Sequence, residues 1–218
     1  MNYYEIFKEE RLAEAIERSK NAQKLIDSFV KDFPLERIET LTMDEYMFIP
    51  ARNGATDDSF CNRIDKEMDV ICHSGNVRPN IYGMYSADGV IKVSPSFSQC
   101  EDYDVVFKII KQEILFLLRG FGKKNYDAVK KCKLNSSFKY KLLAIYYSDQ
   151  VVPVQTKWLL DEYCQRVGVM YYPKEEMIYN NIALRKWKDN NPETANWDNS
   201  ILMQFCDWLV CCKYKLNS

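Results

Sequence analysis

The sequence holds one histidine, His73, in 218 residues, and that scarcity excludes several kinds of chemistry. An HExxH zinc helix needs two histidines. A cysteine nucleophile with a histidine base would have to use Cys72 and His73, and neighbouring side chains on a strand point to opposite faces. The eight cysteines show no CxxC pair and no regular rhythm, so a four-coordinate zinc site would need scattered ligands plus His73. They read as core thiols of a reducing compartment. No GxGxxG follows a strand, and there is no GxSxG elbow. Gly120-Phe121-Gly122-Lys123-Lys124 lacks the spacing and the hydroxyl of a phosphate-binding loop, and reads instead as a helix end. No apolar run approaches the roughly 18 residues needed to span a bilayer, and the charged, helix-like Met1 to Lys20 is no signal sequence. A soluble, non-exported, cytoplasmic chain without catalytic or cofactor-binding machinery is expected.

What is present is an ordinary globular composition, 47% hydrophobic and 28% charged, enough to bury one substantial core. The formal charge of −1 says little about partners, but its distribution is uneven. Residues 1–70 carry 16 acidic against 10 basic side chains. From Arg119 to Lys141 the balance reverses: Arg119, Lys123, Lys124, Lys130, Lys131, Lys133, Lys139 and Lys141 face only Asp127. No other stretch is so strongly of one sign.

Helical spacing of Ile6, Phe7, Leu12, Ala15, Ile16, Leu25, Ile26, Phe29 and Val30 predicts an amphipathic helix over 1–31, ahead of an α+β unit over 32–218. Thr42 and Glu45 fit a capping box. The polar loop Pro50 to Asp58 leads into a β-like region, 59–97, with short runs at Met68–Cys72, Ile81–Tyr85 and Val90–Val93. The last two form a hairpin across Asp88-Gly89. Helices follow at about 102–118 with one buried face, 138–147, 156–167 ending before Gly168, 174–188 and 200–214. The asparagine-rich Asp189 to Asn199 resembles a flexible connector. The expected fold class is α+β, a small antiparallel or mixed sheet packed among several helices.

Two groups of residues suit contact with a nucleic acid. Clustered lysines neutralise phosphates and release counterions without exact geometry, which nominates Lys123, Lys124, Lys130, Lys131 and Lys139. Around the hairpin, Arg78, Asn80, Tyr82, Tyr85 and Lys92 offer planar donors, an amide and aromatic rings for base edges or stacking. By strand alternation at least one of the tyrosines belongs to the core. A metal-dependent nuclease would have to use Asp88 with Lys92, or Glu101 and Asp102, and no acidic-x-lysine strand motif supports either.

Phe33-Pro34-Leu35-Glu36-Arg37-Ile38 followed by Leu41-Thr42-Met43-Asp44-Glu45-Tyr46 resembles the opening of the N-terminal specificity domain of McrB-like restriction proteins. Ser59-Phe60-Cys61, Tyr82-Gly83-Met84-Tyr85, Ser137-Phe138-Lys139-Tyr140-Lys141 and Val151 to Val154 resemble later motifs of that domain in the same order. The resemblance spans roughly residues 30–170. In this chain Asn62-Arg63 replaces the family's aromatic pair after Phe60-Cys61, and only Ser74-Gly75-Asn76 stands for the family's Gly/Ser-rich approach to the hairpin. It implies a bacterial phage-defence module that reads double-stranded DNA, often at modified cytosine, for an AAA+ motor in cis or trans and a partner nuclease. A flipped modified base would then sit in an aromatic pocket using Tyr82 or Tyr85. The rival expectation is a protein-interaction module, docking a partner subunit through the N-terminal helix and the Trp- and Cys-rich C-terminal segment, with Trp208 and Leu209 exposed.

Overall fold

In the computed structural model of the chain, residues 2–47, 58–68, 71, 78–87, 89–172 and 176–213 are described. The expected Met68–Cys72 strand lies mostly outside them, as do Cys72, His73, Asp88, nearly all of the loop from Pro50 and the Ser74-Gly75-Asn76 approach to the hairpin.

The N-terminal amphipathic pattern folds as two helices, α1 (Tyr3–Glu10) and α2 (Leu12–Asp32), not one. The helix breaks at Arg11, with φ −134° and ψ −24°. The break carries Phe7 into an aromatic cluster, with ring centroids 5.1 Å from Phe205, 5.5 Å from Trp197 and 5.7 Å from Trp208. Those three partners belong to the C-terminal segment, so the two ends expected to dock a partner pack against each other. Leu209 is fully buried and Trp208 half-buried.

Two short helices follow, α3 (Leu35–Thr40) and α4 (Met43–Tyr46). The predicted capping box at α4 forms: the Thr42 N–H donates to the Glu45 carboxylate at 2.8 Å, and the Glu45 N–H donates to Thr42 Oγ1 at 3.3 Å. The region expected to be β-like from Ser59 instead begins with a helix, α5 (Phe60–Met68). Phe60, Cys61 and Ile64 are all completely buried, the i, i+1, i+4 spacing of a helical face. The apolar run is too short to show that period clearly in sequence.

A 3₁₀ turn over Pro79–Tyr82 leads into β1 (Met84–Ala87) and β2 (Val90–Val93). The strands pair antiparallel with Met84 opposite Val93 and Tyr85 opposite Lys92, as expected for this hairpin. Together with the helices this makes an α+β fold. The sheet is two-stranded among the described residues and far narrower than 59–97.

Five more long or moderate helices follow: α6 (Tyr103–Gly122), α8 (Ser136–Tyr146), α9 (Lys157–Val167), α10 (Met177–Asn190) and α11 (Asn199–Cys211), with the short α7 (Asp127–Lys131) between α6 and α8. Helix α8 is central: Phe138 to Ile145 are buried without interruption, the pattern of a helix covered on all sides. Asp189 to Asn199 is a bonded connection rather than a flexible one. Lys188 Nζ donates to the Trp197 carbonyl at 2.9 Å, Thr194 Oγ1 to the Lys188 carbonyl at 3.0 Å, and Asn191 Nδ2 to the Tyr4 hydroxyl at 2.7 Å.

Cys61, Cys132, Cys164 and Cys206 are buried free thiols. Burial pushes Cys132 and Cys164 up to about 12, which removes nucleophilic character. No helix of the described residues is long and apolar enough to cross a membrane.

Candidate nucleic-acid interface

The basic stretch is organised by α6. Its N-terminus is held by Asp102, whose carboxylate accepts from the Asp104 and Val105 N–H groups at 2.9 and 3.2 Å. This carboxylate, considered for metal chemistry, is thus a helix cap. Glu101 beside it is exposed. Among the described residues no three His, Cys, Asp or Glu side chains converge as metal ligands.

The helix runs through both Gly120 and Gly122, and the chain then reverses tightly. The N–H of Asn125 donates to the Gly120 carbonyl at 3.0 Å and that of Lys124 to the Phe121 carbonyl at 2.8 Å. The helix ends at Gly122, as expected, and its two glycines also serve packing. A Cβ on Gly120 would lie 2.3 Å from the Ala128 Cβ, so only glycine lets α7 close onto α6. The left-handed position falls on Lys124, at φ +59°, where glycine would be cheaper by about 1 kcal/mol.

From this turn α7 folds back along α6. The Cys132 thiol reaches the Glu113 carbonyl at 3.7 Å, and the Lys133 N–H donates to the Glu113 carboxylate at 2.8 Å. The return path brings the chain back about 15 Å from the turn, at 1.5 Å rise per helical residue.

Lys123, Lys124, Lys130, Lys131 and Lys133 are all exposed along this path. Among the described residues no carboxylate lies within ion-pair distance of these five. Lys130 Nζ instead sits 5.2 Å from the centroid of the Tyr179 ring, a cation–π contact that leaves its charge available. Charges elsewhere are more often matched: Arg63 holds Asp32 and Glu67, Lys8 holds Glu5 and Glu193, and Arg18 holds Glu14. Arg119, at the start of the stretch, is paired with Glu39.

Lys139 does not belong to this surface. It is buried, and its Nζ donates to the Val129 carbonyl at 2.9 Å, tying α8 to α7. Lys141 is also fully buried. In sequence these two lysines looked like the rest of the run. Their burial follows from their place in α8, where every face is covered, and the flanking Phe138, Tyr140, Leu142 and Leu143 were the available signal.

The hairpin group divides in the same way. Tyr82 is completely buried. Its hydroxyl donates to Asp65 at 3.0 Å, its carbonyl accepts from the Tyr46 hydroxyl at 2.6 Å, and its ring meets Phe138 edge-on at 5.1 Å. It is core, which removes it from any base-stacking role. Burial also raises Tyr46 well above its ordinary range. Gly83, at φ +84°, turns the chain from Tyr82 into β1, and a Cβ there would lie 3.0 Å from Ile110 of α6. Beyond it Tyr85 is half-buried and Lys92 exposed, cross-strand neighbours on one face of the hairpin, and Arg78 and Asn80 are exposed at its base.

The exposed lysines and the exposed hairpin residues are therefore separate. Ile110, which receives the hairpin base, is about 20 Å along α6 from Lys123, again at 1.5 Å per residue. The folding back of α7 narrows the gap, because Lys133 stands beside Glu113, less than one turn from Ile110.

No family model, curated protein or solved structure matches this chain.

Proposed function

We propose that this chain is a DNA-recognition module of the McrB-like restriction type, with the α6–α7 reversal as its phosphate-contacting edge. The observation that carries the reading is the set of five exposed lysines, from Lys123 to Lys133, without acidic partners among the described residues, in a chain of near-neutral net charge. A left-handed lysine supports it. At Lys124 the chain holds a cation in a conformation that glycine adopts more cheaply, and strain of this kind tends to be retained where the side chain is used.

Lys123, Lys124, Lys130, Lys131 and Lys133 supply sequence-independent attraction and position the duplex. Arg78, Asn80, Tyr85 and Lys92 remain the candidates for base contact. Chemistry on the DNA falls to a separate motor and nuclease. The test is binding of the purified chain to matched unmodified, 5-methylcytosine and 5-hydroxymethylcytosine duplexes over a salt series. Binding that depends on site or modification, and weakens steeply with salt, is the expected outcome. No binding to any duplex at low salt contradicts it.

A second reading has its own observation. Among the described residues Trp158 (64% exposed), Met170 (74%) and Tyr172 (52%) are the most exposed large apolar side chains apart from Val90. Tyr172 approaches Met170 Sδ at 3.7 Å, and Asn180 links the Tyr172 backbone to Asp161, one turn from Trp158. Such a patch suits protein contact. The docking module then uses α9 and the segment after it, not the chain ends. Loss of partner capture on Trp158→Lys substitution, with DNA binding absent, is the result that favours it.

A further inference from the structure

The outer face of α6 carries more than charge. Val105, Lys108, Gln112, Phe116, Arg119 and Lys123 recur at helical spacing along one solvent-facing stripe. The stripe includes Val105, 43% exposed. Phe116, 45% exposed, lies in the middle of it, one helical turn before Arg119 and two before Lys123.

A single exposed phenylalanine is unremarkable by itself; its setting is not. Beside it lies an open groove of about 460 Å³. Phe116 and Gly120 line it with apolar surface, the amides of Gln112 and Asn125 offer both donors and acceptors, and Arg119 and Lys123 supply the cations. Among the described residues no carboxylate lines it. Arg119 is engaged by Glu39, so the uncommitted positive charge lies at the Lys123 end, next to Lys124.

We infer that the Phe116 groove takes an unpaired nucleotide, its base stacked on the Phe116 ring and its phosphate at Lys123. The inference rests on the proposal that the lysines track a nucleic-acid backbone. It adds that the bound strand is single-stranded where it crosses α6. An aromatic face serves any base, the two amides can meet a base edge, and the nearest free cation lies at the end where a phosphate would emerge. Bases stacked within a duplex have both faces covered and cannot stack on a side chain of a helix face. The groove therefore distinguishes a strand end, gap or opened segment from an intact duplex.

The experiment compares the whole chain on a short single strand, the matched blunt duplex and the same duplex with a single-stranded tail, by fluorescence anisotropy. Phe116→Ala, Phe116→Tyr and Lys123→Ala/Lys124→Ala are measured beside the unsubstituted chain. The expected result is tighter binding of the strand and the tailed duplex than of the blunt one. Phe116→Ala lowers that preference about tenfold, the size of one base–aromatic stack, and Phe116→Tyr restores it. Displacement of the tail by free deoxynucleoside monophosphate assigns the groove to a free nucleotide as well; competition by oligonucleotides alone assigns it to a strand. If Phe116→Ala leaves the preference unchanged while the lysine pair weakens all three complexes, the groove inference is overturned and the phosphate reading stands. If neither variant alters binding, both fall. Phe116-dependent binding of an acidic, aromatic peptide with no oligonucleotide bound also overturns it.

Discussion

The hairpin base and the α6–α7 turn both looked like binding surface in sequence, and folding treats them in opposite ways. At the hairpin base the aromatic residue with the best stacking surface, Tyr82, is drawn completely inside and bonded at both its hydroxyl and its carbonyl. At the turn, five lysines stay in solvent while the backbone beneath them is drawn together by the Gly120–Ala128 contact. Burial selects by neighbours rather than by residue type. Lys139, chemically identical to Lys130, is inside because α8 is covered on every face.

The contrast is sharpest where a substitution moves stability and binding independently. The largest effect is expected for Tyr82→Ala, which empties a fully buried aromatic site and removes one hydrogen-bond donor from Asp65. A loss of about 3–5 kcal/mol in urea unfolding is predicted. A loss under about 1 kcal/mol would put Tyr82 back on the surface. Lys139→Ala is next. Removing the partner of the buried Val129 carbonyl is expected to cost about 1–3 kcal/mol, with the salt dependence of DNA binding unchanged.

Lys124→Gly should separate the two properties by sign. Relief of the left-handed lysine is expected to raise stability by about 1 kcal/mol, while one lost phosphate contact reduces the slope of log K against log salt by about 0.9. Greater stability with undiminished binding would leave the strained lysine without a role in binding.

A further test distinguishes core from surface by titration. The Cys132 and Cys164 thiols are raised to about 12 by burial, against an ordinary value of 9.0. Between these values the folded chain keeps protons that the unfolded chain has lost, so stability falls as pH rises. The stabilisation is complete below pH 9 and is lost on approach to 12. Thermal unfolding from pH 8 upward should show that decline. Cys132→Ser should remove part of the slope.

Much of this fold was legible because local signals agreed with their tertiary setting. The capping box at Thr42, the hairpin at Gly89, the helix ending before Gly168 and the single-sided pattern of α6 each needed only local chemistry. One region was misread because a tertiary contact overrode the local pattern. The break at Arg11 exists to seat Phe7 among Trp197, Phe205 and Trp208, nearly two hundred residues away, and nothing near Arg11 signals it. The glycines of α6 do stand at its end, which falls at Gly122, but the left-handed residue beyond it is Lys124, and Gly120 and Gly122 accommodate Ala128 and Tyr147. For the candidate site, the charge run located the lysine edge, whereas which lysines remain outside depended on α8 being covered on all sides. Phe116 was passed over because an isolated aromatic on an amphipathic helix carries no signal until the groove beside it is seen.

The most direct test of the account is the salt dependence of duplex binding for Lys123→Ala/Lys124→Ala set against Lys139→Ala. The account predicts that the double variant weakens binding to every duplex and flattens the log–log slope by about 1.8, two phosphate contacts at about 0.9 each, without loss of stability. Lys139→Ala keeps the slope and loses stability. Unchanged affinity and slope in the double variant would contradict the assignment of the α6–α7 turn as a phosphate-contacting edge.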